Sequence, residues 1–172
     1  GGNTGTCNAD GNITSVGSSV FSSSVAPSAN QADATCSWND TDDFLLTWTP
    51  STTGCATIDT IGSGSDTVLA IYEGCPGTGG AELACDDDIG GGVYQSSIEA
   101  DISASTTYYI VIEGYSSAPD DVILNIEVDT AQSCGSGGTD TGTPTNDDVD
   151  GDGYDSEASG GTERSEERRV GK

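Results

Sequence analysis

The fold is decided by residues Ser63–Asp88, SGSDTVLAIYEGCPGTGGAELACDDD, which combine an alternating segment, a glycine-rich loop and an acidic run. Within Thr67–Glu73, the side chains of Val68, Ala70 and Tyr72 fall on one face and the intervening side chains on the other. Alternation of β-branched and aromatic residues with period two is typical of a β-strand. This stretch therefore predicts a strand, then a loop, then three consecutive aspartates.

The chain has six cysteines and no CxxC pair, which favours disulfide bonds over a metal cluster. Six cysteines allow fifteen connectivities. We predict Cys75–Cys85 first, because this bridge would close the loop and hold the aspartates beside the strand end. In the chain-entropy picture, a loop this short contributes about 3 kcal/mol. We also expect Cys7–Cys36 and Cys55–Cys134, with an exchange of partners between these two bridges as the alternative. Disulfides predict an oxidising compartment.

Short apolar segments with turn residues between them recur along the chain. Such spacing indicates an antiparallel β-sandwich, and no segment has a convincing helical period. Few large apolar side chains are available for the core, so we expect disulfides to supplement it. The predicted strands are one or two edge strands in Ile13–Val25, then Phe44–Thr49, Cys55–Ile61, Thr67–Glu73, Glu82–Cys85, Ser96–Ile102, Thr106–Glu113 and Asp121–Val128.

The chain is strongly acidic, with a formal net charge of −25. All four basic residues lie in residues 164–172, so residues 1–163 carry no Lys or Arg and 27 of the 29 acids. A surface of this charge excludes nucleic acids and anionic membranes as electrostatic partners and favours cations. An acidic surface that only maintains solubility is the alternative for most of these residues.

A linker and an aspartate-rich motif follow the sandwich, which we assign to residues 1–134. Residues 135–147 are rich in Gly, Ser, Thr and Pro and predict a flexible linker. Residues 148–163 contain D-x-D-x-D-G-Y, where alternating aspartates and a backbone carbonyl supply oxygen ligands for calcium. No Glu stands at position twelve, so we expect a partial, weak site in a flexible acidic tail. Its candidate ligands are Asp148, Asp150, Asp152, Tyr154, Asp155 and Glu157.

The acidic run Asp86, Asp87 and Asp88 is a second candidate calcium site, joined by Asp66 or Asp101. Loops carried by a rigid scaffold are frequent positions for binding residues. The alternative is that these acids are solvated turn formers.

Three motifs carry a family resemblance: S-x-S-D-T-V-L-x-x-Y-x-G-C at residues 63–75, L-A-C-D-D-D at 83–88 and T-Y-Y-I-V-I-E-G-Y at 107–115. Together they resemble the bacterial pre-peptidase C-terminal (PPC) domain, particularly its cysteine-bearing versions in large secreted proteins of myxobacteria and related marine bacteria. The resemblance covers about residues 7–134. It implies a small jelly-roll-like β-sandwich that is exported and non-catalytic. The tail motif resembles the DGDGY metal-binding motifs of secreted bacterial proteins and the aspartate-rich repeats of thrombospondins.

The last nine residues, RSEERRVGK at Arg164–Lys172, break the composition abruptly. They match the translation of a common sequencing-adapter oligonucleotide, and we exclude them from functional reasoning as an artefact. A genuine basic tail is the alternative. Since the chain also lacks Met, we expect a fragment of a longer protein whose neighbouring domains are missing.

Enzyme chemistry has little support in the sequence. The chain has no His, which excludes His-based triads and His-ligated zinc, and residues 1–163 have no Lys or Arg to bind phosphate. We expect a non-catalytic, calcium-binding accessory domain of a secreted or cell-surface protein that attaches to carbohydrate or another extracellular polymer through Tyr94 and Tyr115. A purely structural, calcium-rigidified spacer is the alternative, and a small carboxylate-based glycoside hydrolase is the least favoured one.

Overall fold

The computed structural model describes residues 7–38 and 41–135. Within these ranges the regular structure consists of nine β-strands and one short 3-10 turn at Pro76–Thr78. The strands are β1 Gly11–Ile13, β2 Gly17–Ser23, β3 Phe44–Trp48, β4 Gly54–Asp59, β5 Thr67–Glu73, β6 Ala81–Asp86, β7 Ser97–Ile102, β8 Tyr108–Gly114 and β9 Val122–Asp129.

The strands form two sheets, a five-stranded one in the order β1-β3-β8-β5-β6 and a four-stranded one in the order β2-β9-β4-β7. β1 runs parallel to β3, and the other neighbouring pairs among the described strands are antiparallel. Strands β2 to β9 pass between the sheets in the order of an eight-stranded jelly roll. The predicted all-β, antiparallel, jelly-roll-like sandwich is therefore confirmed.

The main core lies between the two sheets. Phe44, Leu46 and Trp48 of β3 are buried there, as their alternation predicts. The facing sheet contributes Leu124 and Ile126 of β9. The remaining buried members are Ile13, Ala56, Ile58, Leu69, Ile71, Ile98, Ala100, Ile102, Tyr108, Ile110, Ile112 and Val122.

The outer face of the five-stranded sheet is covered by residues 29–37, which we call the strap. Ala32 and Ala34 of the strap are buried against Val68 and Val111 of the sheet. Because the strap adds a layer, β5 is buried on both faces, although the four-stranded sheet covers only one of them. The strap is not a strand, so its backbone N–H groups need partners other than a neighbouring strand.

Three disulfides join the described cysteines, and no described cysteine is free. Cys55–Cys134 was predicted and is confirmed. The predictions of Cys75–Cys85 and Cys7–Cys36, and the alternative with exchanged partners, are wrong. The other two bridges are Cys7–Cys75 and Cys36–Cys85.

The register of the β5–β6 hairpin explains why Cys75 cannot reach Cys85. Cys85 faces Ala70 across the hairpin, whereas Cys75 lies beyond the end of β5. At about 3.3 Å per residue, Ala70 and Cys75 are some 16 Å apart along an extended chain. A disulfide requires Cα atoms within about 7 Å. Both cysteines instead receive a partner from the N-terminal segment, which crosses the outer face of the sheet.

The predicted linker at 135–147, the calcium-binding tail with Asp148 to Glu157, and residues 164–172 lie almost wholly outside the described residues, which end at residue 135. Among the residues described, no helix has the length and apolar character needed to cross a membrane.

Candidate metal site

Asp66, Asp87 and Asp88 converge at one end of the five-stranded sheet. Asp66 directly precedes β5, and Asp87 and Asp88 directly follow β6. These strands are antiparallel neighbours, with Leu69 opposite Asp86, so the start of β5 lies beside the end of β6. One carboxylate oxygen from each of the three aspartates lies within 4.8 Å of the other two. We call these three residues the aspartate cluster.

The electrostatics of the aspartate cluster disfavour three bare charges. The pKa of Asp66 is raised by partial burial and then by the Asp88 charge. The pKa of Asp87 is raised by partial burial, then by the charges of Asp88, Asp66 and Asp86. Moreover, Oδ1 of Asp66 and Oδ1 of Asp87 are buried atoms for which residues 7–38 and 41–135 provide no hydrogen-bond partner. A cation between these oxygens would offset the repulsion among the carboxylates and would be a partner for the two unsatisfied oxygens.

A buried network of hydroxyl groups fixes the strand ends that carry the aspartate cluster. The Ser96 hydroxyl oxygen lies 2.5 Å from the backbone oxygen of Thr67 and 2.8 Å from that of Asp87, and these two oxygens share its single proton. The Thr60 hydroxyl lies 2.6 Å from the Thr67 hydroxyl and accepts the Ser96 N–H at 2.9 Å. Hydrogen bonds on both sides therefore hold the backbone of Asp87 and the residue after Asp66 in place.

Asp86 and Asp101, which the sequence also offered as ligands, are not part of the aspartate cluster. One carboxylate oxygen of Asp86 accepts the backbone N–H of Ser97 at 2.9 Å and so links β6 to β7. Asp101 lies at the other end of β7, where it accepts the backbone N–H of Cys134 at 2.7 Å. The alternative that places Asp101 beside Asp87 is therefore wrong, because Asp101 lies opposite Cys55 in the four-stranded sheet.

Tyr94 and Tyr115 flank the aspartate cluster. The backbone oxygen of Tyr94 accepts the Thr67 N–H at 3.0 Å, and the Tyr115 N–H donates to the backbone oxygen of Asp66 at 3.2 Å. Their side chains are 57% and 42% exposed. The backbones of both tyrosines predicted to bind a ligand are therefore hydrogen-bonded to Asp66 or to the residue after it.

Trp38 is the most exposed large hydrophobic residue among those described, at 87%. It follows the strap directly, whereas Trp48 is buried in the core. Its position beside the strap depends on tertiary structure, which cannot be predicted from the local sequence pattern.

A second group, Cys55, Glu99 and Cys134, also has its potential ligand atoms within 4.8 Å of one another. Both cysteines belong to one disulfide, so neither offers a thiolate. Among the described residues, the aspartate cluster is therefore the better fit to a hard cation such as calcium, which prefers carboxylate and carbonyl oxygens.

Two further acids, Asp43 and Glu113, lie beneath the strap and were not predicted as functional residues. Both are 0% exposed. Burial raises the pKa of Asp43 to about 6 in spite of two backbone hydrogen bonds. Burial also raises the pKa of Glu113 to about 7, opposed by bonds from Ser37 and Ala34.

Comparisons with protein-family models and with curated protein sequences gave no match to this chain.

Proposed function

We propose that this chain is a non-catalytic accessory module of an extracellular bacterial protein, and that it binds calcium at Asp66, Asp87 and Asp88. The convergence of three carboxylates with two buried, unpartnered oxygens is the observation that supports the site. Calcium takes six to eight oxygens, so backbone carbonyls and water would complete the shell. The three disulfides support a location outside the reducing cytosol.

The absence of basic residues strengthens the case for a bound cation. Residues 1–163 contain neither Lys nor Arg, so no side chain of the sandwich neutralises the aspartate cluster. A bound cation would supply the positive charge that these side chains lack.

The test is a set of thermal melts of the oxidised, full-length protein in EDTA, millimolar calcium and millimolar magnesium. A ligand bound only to the folded state at a hundred times its Kd stabilises it by about 2.7 kcal/mol. For a domain of this size, this corresponds to a rise in Tm of roughly 5–10 °C. Asp87→Asn combined with Asp88→Asn should reduce the calcium-dependent rise.

The matched control combines Glu99→Gln with Glu127→Gln. Both residues are exposed on the four-stranded sheet. The control double variant removes two negative charges, as many as the Asp87/Asp88 variant removes. It should keep the full calcium response. Equal responses in wild type and in the Asp87/Asp88 variant would rule out the aspartate cluster as a calcium site.

A second function, attachment to an extracellular polysaccharide, is favoured by the exposure of Tyr94 and Tyr115 on either side of Asp66. Exposed aromatic rings beside a loop suit contacts with sugars. Pull-down on insoluble polysaccharides with and without calcium tests this function. Retention that falls on Tyr94→Ala or Tyr115→Ala supports attachment, whereas no retention on any polymer favours the structural, calcium-rigidified spacer.

A further inference from the structure

Asp43 and Glu113 are cross-strand neighbours on the outer face of the five-stranded sheet. Phe44 faces Ile112 in the antiparallel β3–β8 pair, so Asp43 and Glu113 occupy the next opposed position. Opposed residues have Cβ atoms about 5 Å apart and point to the same face. Both side chains lie under the strap and are 0% exposed.

Each of these carboxylates uses one oxygen to hold the strap. Oδ2 of Asp43 accepts the N–H groups of Gln31 at 2.7 Å and Ala32 at 2.9 Å. Oε1 of Glu113 accepts the N–H of Ala34 at 2.7 Å. The second oxygens, Oδ1 of Asp43 and Oε2 of Glu113, are buried and have no hydrogen-bond partner among the described residues.

Among the described residues, no positive side chain neutralises this pair. The charges that act on Asp43 are those of Asp10 and Asp33, and those that act on Glu113 are Asp43 and Asp33. All of them are acidic, and residues 1–163 contain no Lys or Arg. Adjacent buried carboxylates without a counter-ion are strongly unfavourable, because each loses its hydration and they repel each other.

We propose that Asp43 Oδ1 and Glu113 Oε2 are ligands of a buried calcium ion that fastens the strap to the five-stranded sheet. The ion satisfies the two unpartnered oxygens and neutralises the pair. The opposite oxygens stay bound to the strap amides, so the cation, the two acids and the strap backbone form one continuous polar unit. Water and backbone carbonyls supply the remaining ligands that calcium requires. This site uses residues different from the aspartate cluster and does not depend on it.

The experiment measures amide hydrogen exchange of the strap in the full-length, oxidised protein at neutral pH. Exchange is followed in EDTA, in calcium and in magnesium. If strap opening releases the ion, calcium at ten times its Kd should slow exchange at Gln31, Ala32 and Ala34 about tenfold. Magnesium should act less, since it requires a smaller and more regular shell.

Two variants locate the effect. Asp43→Asn combined with Glu113→Gln should abolish the calcium-dependent slowing in the strap. Asp87→Asn combined with Asp88→Asn should retain it, so that failure of the buried site is distinguished from failure of the aspartate cluster. Circular dichroism and mass spectrometry of the three disulfides verify folding, and Glu113→Gln alone replaces the double variant if the latter does not fold.

Two results would overturn the proposal. Strap exchange that is the same in EDTA and in saturating calcium would mean that the pair holds a proton instead of a cation. Equal slowing in wild type and in the Asp43/Glu113 variant would mean that calcium acts from another site.

Discussion

Replacing Cys85 tests both the disulfide pairing found in the structure and the contribution of the Cys36–Cys85 bridge to the free energy of unfolding. Cys85 bonds to Cys36, which joins β6 to the end of the strap. In Cys85→Ser, the free thiol should therefore be at Cys36. The pairing suggested by the sequence would instead leave it at Cys75. Removal of both partners, in Cys36→Ser combined with Cys85→Ser, deletes the bridge without creating a free thiol.

The expected loss of stability follows from the length of the closed loop. Cys36 and Cys85 are separated by 49 residues. In the chain-entropy model, a loop of this length contributes about 4 kcal/mol at 25 °C. Since domains of this size have a free energy of unfolding of about 5–15 kcal/mol, the loss is a large part of the total. The strap keeps its bonds to Asp43 and Glu113, so it should loosen without detaching.

One assay identifies the disulfide pairing, and a second measures the loss of stability when the bridge is removed. Alkylation of folded Cys85→Ser followed by peptide mapping identifies the free thiol. Urea denaturation of the oxidised double variant then gives the free energy of unfolding relative to wild type. As a control, Cys55→Ser combined with Cys134→Ser opens a loop with a separation of 79 residues and should cost about the same.

A label on Cys75 in the single variant would refute the connectivity described here. A label on Cys36 with a loss below about 1 kcal/mol in the double variant would refute the entropic argument instead. In that case, the bridge would act on the folded state only by keeping the strap in position.

Two further predictions concern the interior. In calcium-free buffer, the free energy of unfolding should fall as the pH rises from about 4 to about 7, because the pKa values of Asp43, about 6, and Glu113, about 7, lie above their ordinary values. Urea titrations at several pH values measure this slope, and Glu113→Gln should make it smaller. A slope in Glu113→Gln equal to that of wild type would contradict the raised pKa of Glu113. Ile110→Ala, in the fully buried centre of β8, should cost about 2–5 kcal/mol in the same assay, whereas Leu83→Ala on the exposed side of β6 should cost less than about 1 kcal/mol.

The sequence predicted the sandwich well because its strands alternate. In Thr67–Glu73, the two sets of side chains fall on the two faces that the pattern assigns, with Leu69 and Ile71 in the main core. The same holds for Phe44–Trp48, whose large apolar residues turn inward. A periodic pattern is a local property of the chain, so it can be identified without knowledge of the rest of the fold.

Disulfide pairing and acid burial could not be predicted in the same way, because both depend on where the strap lies. Glu113 looks like an ordinary strand residue in T-Y-Y-I-V-I-E-G-Y. It becomes fully buried only because Ala32 and Ala34 cover that face of the sheet. Cys36 reaches Cys85 for the same reason.

The candidate metal site was predicted in part. Asp87 and Asp88 stood out as an acidic run, and Asp66 was offered as one of two additional ligands. Asp101 was an equal choice in the sequence, and only the sheet topology separates the two. The sequence also could not show that a carboxylate oxygen of Asp86 accepts a hydrogen bond from the backbone N–H of Ser97.

The disulfide network also limits how far the domain can stretch when it is pulled from its two ends. Tension applied at Cys7 and Cys134 passes through their bridges to Cys75 and Cys55, so only the segment between those two, which spans twenty residue-to-residue steps, can extend. At about 3.4 Å per residue, this gives roughly 70 Å of extension, whereas an unbridged chain from 7 to 134 would give roughly 430 Å. The extensible segment contains Asp66, which means that mechanical load would act directly on the aspartate cluster.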